Sequence, residues 1–182
     1  MINRIIPAYL QKGDKIGIVA PARKISPEEI QPAIEILKNR GWQVVFGKNL
    51  FKADRQFSGT DAERAADLQE MLDDNSVKAI FCARGGHGTV RIIERLDFSA
   101  FRISPKWIVG FSDATVLHAH IHANMRIETL HAPLLLTLPQ SAAAAETLFK
   151  TLSGDAPQYQ FPPDARNRNG VAEGAMVDIW RR

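Results

Sequence analysis

Two short stretches of this sequence hold residue types that do chemistry. In the first, Gly110-Phe111-Ser112-Asp113, a serine ends the apolar run that starts at Trp107, and an acid stands directly behind it. A serine at the apex of a strand-to-helix turn has its hydroxyl raised at the sheet edge. The amides that open the following helix point into the same space. Such amides donate to a developing oxyanion, an effect of about 3–4 kcal/mol for one donor. The same spacing also suits a plain cap, with Ser112 or Asp113 satisfying the first N–H groups of the next helix. GFSDA lacks the second glycine of G-x-S-x-G, so it does not point to an ordinary α/β-hydrolase.

The second stretch, Arg84-Gly85-Gly86-His87-Gly88, follows the apolar run VKAIFCA. Consecutive glycines after a strand let the backbone approach a ligand closely or take up positive φ. The cluster fits neither G-x-G-x-x-G nor the Lys-Ser/Thr pattern of a phosphate loop, so a phosphate cradle has weak support. Two readings remain: Gly85 or Gly86 supplies a second oxyanion donor beside Ser112, or the loop is a tight turn. Arg84 either offers a fork of donors to a substrate carboxylate or faces solvent. His87 is counted with it as a candidate substrate-binding residue.

His118, His120 and His122 invite a metal reading. On a helix His118 and His122 share a face while His120 points roughly opposite, so the three do not converge. Val116, Leu117 and Ile121 fit helical spacing, and no H-E-x-x-H occurs. No metal and no cofactor are expected. His131, near a strand end, either lines the pocket or packs beneath it.

These loops need strands and helices to position them. Lys15 to Ala20, Trp42 to Phe46, Val77 to Ala83 and Trp107 to Phe111 read as short buried strands, and Ile127 to Leu130 as a fifth. Ser26 with Glu29 and Thr60 with Glu63 form capping boxes that open two helices; Gly41 stops the first of them. Thr89 to Leu96, the residues after Ser112, and Ala142 to Leu152 complete the helical set. This alternation predicts an α/β fold: a mostly parallel sheet flanked by helices in three layers, of the flavodoxin or Rossmann kind. In such sheets ligands bind at the carboxyl ends of strands, where both chemical stretches lie.

Composition excludes several classes. The chain of 182 residues carries 23 Lys and Arg against 20 Asp and Glu, scattered without basic blocks, so no nucleic-acid footprint is read. No window is apolar enough for a membrane span, and the opening residues lack a signal-peptide core. A single cysteine, Cys82, rules out an internal disulfide and reads as a small buried thiol. A reducing, cytoplasmic location is expected.

Taken in order, KGDKIGIVAPA, CARGGHGTVRIIERLDF, WIVGFSDATVLHAH and ETLHAP resemble the N-terminal half of the serine LD-carboxypeptidases. These are the muramoyltetrapeptide carboxypeptidases and their relatives that cleave microcin C7. The resemblance runs from about residue 8 to residue 177. It implies cleavage of an L-to-D peptide bond in murein tetrapeptide, with release of D-alanine during cell-wall recycling. It implies Ser112 as nucleophile, and an oxyanion hole from the Asp113 amide with that of Gly85 or Gly86. It also implies no metal, and a homodimer.

In that family the glutamate and histidine of the triad come from a C-terminal domain beyond a linker. None of the five histidines here occupies the base position, and neither Glu146 nor Glu173 maps onto the glutamate. The expectation is therefore a nucleophile-bearing domain over residues 1–153. Residues 154–182 are then a linker with the truncated start of a second domain. Such a chain has little activity by itself. The alternative is a catalytically silent α/β domain that binds peptide or muropeptide.

Overall fold

The structure, a computed structural model, describes residues 4–156. The linker, VAEGAMV and Glu173 lie outside the described residues. Five parallel strands, β1 (Lys15–Val19), β2 (Gln43–Phe46), β3 (Val77–Cys82), β4 (Trp107–Gly110) and β5 (Leu130–His131), form one sheet in the order β2-β1-β3-β4-β5. This is the flavodoxin-like order, in which the chain reverses its direction of growth between β1 and β3.

Alternation along the strands sorts two cores. Ile16, Ile18, Phe81, Trp107 and Val109 face one side with α1 (Pro27–Asn39) and α5 (Ala142–Leu152). Val19, Ile80, Cys82 and Ile108 face the other with α2 (Asp61–Asp73), α3 (Ser99–Ile103) and α4 (Thr115–Met125). Strands buried on both faces read as continuous apolar runs, as KIGIV and WIVG do. Gly17 lets α2 pack closely: a Cβ there would lie 2.6 Å from the Met71 sulfur, and that side chain would have to shift.

Both capping boxes form, at Ser26 and Thr60. Beneath the end of α2, buried Lys106 donates from Nζ to the carbonyls of Met71, Leu72 and Asp74 at 2.9, 2.9 and 2.7 Å. Lysine is thus a tertiary C-cap for a helix whose last turn has no basic residue.

Three expectations about elements change. Thr89 to Leu96 is not one helix but two 3₁₀ turns, Thr89–Arg91 and Ile93–Arg95, parted at Ile92 with φ −113°. Ile92 and Ile93 are both buried, a consecutive pair that helical periodicity does not place on one face. The fifth strand begins later than read, because Ile127 instead bridges Ile5 in the N-terminal segment. The short α3 and a 3₁₀ segment at Leu135–Gln140 were not foreseen from the sequence. Among the described residues no helix is long and apolar enough to cross a membrane.

Candidate active site

β4 ends at Gly110, and the chain turns so sharply that Ser112 holds φ of 60°, in the left-handed region. A non-glycine residue there is strained, as at the elbow that presents a nucleophile. Residues Ser112–Ala114 form a 3₁₀ turn that feeds into α4, and no side chain caps either start. Neither Ser112 nor Asp113 is the cap that the spacing allowed. Ser112 is exposed.

The loop after β3 comes directly alongside. A Cβ on Gly85 would lie 3.1 Å from both Cβ and Oγ of Ser112, so the bare backbone of Gly85 packs on the hydroxyl. Gly86 has φ 138°. The structure thus brings Ser112, Asp113, Gly85 and Gly86 together at the carboxyl edge of adjacent strands β3 and β4. Arg84 reaches the start of α1: Nη1 lies 3.1 Å from Glu29 Oε1 and 3.4 Å from the Lys24 carbonyl. His87 is exposed in the same loop.

Sequence reading missed the clasp between these loops. Asp113 Oδ2 accepts from the Thr89 N–H at 2.8 Å and from its hydroxyl at 2.6 Å. Thr89 is fully buried. Arg64 was missed too. It is 1% exposed, donates to the Pro21 carbonyl at 2.9 Å, pairs with Asp61 and lies over the Phe57 ring. A Cβ on Gly88 would come within 2.9 Å of its guanidinium, so Arg64 floors the glycine loop. One signal was available: Arg64 stands four residues before Leu68, on the apolar stripe of α2.

The histidines separate as helical geometry requires. His118 is buried, and its Nε2 lies 2.9 Å from the Gly110 carbonyl, just before the turn. Burial pushes its pKa below the ordinary imidazole value, with the nearby His131 adding to the effect and the Gly110 carbonyl opposing it. A neutral ring with its proton on Nε2 therefore donates to Gly110. His120 packs on Phe98. Among the described residues no three His, Cys, Asp or Glu side chains are placed to hold a metal ion. An open cavity of about 340 Å³ adjoins the serine turn, lined by Phe111, His131, Ala132, Pro133, Gln140 and Ser141 among others.

Comparison with known proteins gives one consistent answer. The family model described as the LD-carboxypeptidase N-terminal domain matches residues 16–132. A probable murein peptide carboxypeptidase of Bacillus subtilis is 45% identical over 178 residues, covering 94% of this chain and 56% of the relative. The structure of MccF in complex with glutamyl sulfamoyl guanosine superposes with a TM-score of 0.79 at 27% identity, over 87% of this chain and 50% of that one. The muramoyltetrapeptide carboxypeptidase from Oxalobacter formigenes superposes with a TM-score of 0.67 at 28% identity, over 75% and 47%. The chain spans about half the length of the curated relatives it matches.

Proposed function

The chain belongs to the LD-carboxypeptidase family, and on that premise we propose that it is the nucleophile-bearing part, residues 1–153, of a serine peptidase. Its substrate is a murein tetrapeptide or a related peptide, cleaved at an L-to-D bond with release of D-alanine in the cytoplasm. Ser112 Oγ attacks the scissile carbonyl carbon, and the amides of Asp113 and of Gly85 or Gly86 hold the oxyanion. The serine proton passes through a general base to the leaving amine of D-alanine. Water then hydrolyses the acyl-serine ester and regenerates Ser112. The base, a histidine ordered by a glutamate in the family this sequence resembles, comes from outside residues 1–153.

One observation carries this reading: Ser112 holds left-handed φ with the Gly85 backbone packed against its hydroxyl. That arrangement suits donors aimed at an oxyanion rather than a helix cap. The murein substrate is favoured by the name of the Bacillus subtilis relative. A relative bound to glutamyl sulfamoyl guanosine makes acidic aminoacyl conjugates the other substrate class.

A second reading is a silent peptide-binding domain, in which the Ser112 hydroxyl takes no part in chemistry. No described side chain hydrogen-bonds it, and a serine without a base is a poor nucleophile at neutral pH. The two are separated by following D-alanine release from murein tetrapeptide with the wild-type chain and S112A. Release that S112A abolishes supports the peptidase. Peptide binding with no labelling of Ser112 by a serine-directed phosphonate, and no release above that of S112A, assigns the binding domain.

A further inference from the structure

Cations crowd the carboxyl edge of the sheet, and most are already paired. Arg84 is held by Glu29, Arg64 and Arg91 by Asp61, Lys52 by Glu63, and Lys48 by Glu70. Arg23, in the loop after β1, has no carboxylate within ion-pair distance among the described residues, and it is exposed.

Its placement is nevertheless fixed. Arg23 bridges Phe57 in antiparallel fashion. On either side Lys24 N–H donates to the Gln56 carbonyl at 3.0 Å and Ser58 N–H to the Ala22 carbonyl at 3.1 Å. From this anchored backbone the side chain runs across Gly86: a Cβ there would lie 2.6 Å from Arg23 Cγ and 3.0 Å from its Cδ. Gly85, the next residue, packs on Ser112 in the same way. The Arg23 stem, Gly86, Gly85 and Ser112 therefore follow one another along the loop, with the aliphatic stem of Arg23 at one end and the serine hydroxyl at the other.

We propose that Arg23 is the specificity residue that binds the substrate's terminal carboxylate beside Ser112. This rests on the reading of Ser112 as the peptidase nucleophile. A peptide that loses one C-terminal residue carries its free carboxylate a single residue beyond the scissile carbonyl. Gly86 is likewise a single residue from Gly85, with Cα atoms about 3.8 Å apart. A peptide that runs along the loop from Gly85 to Gly86, with its carbonyl over Gly85, puts the carboxylate over Gly86, where the Arg23 stem lies. The planar fork of arginine matches a carboxylate in bidentate fashion, which an ammonium does not. Internal peptide bonds present no such charge, so the contact selects chain ends.

The test is a titration of the 182-residue chain, observed through the backbone amides of Ser112 and Gly85, with N-acetyl-L-lysyl-D-alanine and with its C-terminal amide. Wild type binds the free acid about tenfold or more tighter than the amide, the expected scale of a charged hydrogen bond. R23Q binds the two alike, and R23K falls between. K24Q, which removes a neighbouring charge, keeps the wild-type preference. If R23Q retains the preference for the acid, the assignment of Arg23 is overturned while the reading of Ser112 stands. If neither ligand moves the Ser112 and Gly85 amides in wild type, both are overturned.

Discussion

Asp113 follows Ser112 directly, so its backbone belongs to the turn while its carboxylate reaches Thr89 in the neighbouring loop. Removing that carboxylate leaves a buried N–H without an acceptor, which costs about 1–3 kcal/mol. D113A is expected to lose about that much stability in urea unfolding, whereas D113N, which keeps an oxygen, loses less. Equal losses from both variants would mean that charge rather than the Thr89 bonds matters. Gly85 tests the same junction sterically, since a Cβ would press on Ser112 Cβ and Oγ at 3.1 Å and on Leu134 at 3.3 Å. If Ser112 is the proposed nucleophile, G85A is expected to reduce D-alanine release by up to about 10²-fold, the cost of a misplacement on the order of 1 Å. Its unfolding midpoint should move little, because Gly85 is half-buried and contacts at 3.1–3.3 Å need only a slight shift of their neighbours. An active G85A would remove the diglycine backbone from the oxyanion role.

At the scale of elements, α2 depends on a residue outside itself. Lys106 closes its last carbonyls from the start of β4, and burial, opposed by the charges of Asp74 and Asp73, pushes the ammonium down to about 8. K106M is expected to destabilise the chain by about 3 kcal/mol at neutral pH, as when buried carbonyls lose a charged donor. The pH dependence has a definite sign. An unfolded lysine titrates at about 10.4, so between about pH 8 and that value the unfolded chain holds the proton that the folded chain has released. Wild-type stability relative to K106M therefore rises across this window, and a flat difference in urea midpoints would refute the assignment. The capping boxes at Ser26 and Thr60 were legible because all their partners lie within three residues. The buried Lys106 was not legible, because its acceptors lie more than thirty residues earlier. Thr89 to Leu96 misled for the same reason: Asp113, 24 residues away, holds its first N–H.

At the scale of the whole molecule, strand alternation with helices was enough to predict three layers, but not the order of strands. That order is set by which helix covers which face, and it places β3 between β1 and β4 with α2 and α4 above its Cys82 side. Cys82 is consequently fully buried, and burial, with a smaller contribution from the charge of Asp113, pushes its thiol up to about 12. Only the thiolate reacts with alkylating reagents, so the native chain is doubly protected, by access and by ionisation. Reaching Cys82 requires parting the helices from the central strand β3, which is loss of the fold rather than local fraying. This is the chain's one cysteine, so the labelling rate is a direct reading of that opening. Iodoacetamide labelling is expected to be negligible in buffer and to accelerate with urea at the same slope as global unfolding followed by tryptophan fluorescence. A labelling rate independent of urea would show that β3 opens locally, and with it the glycine loop that β3 positions beside Ser112.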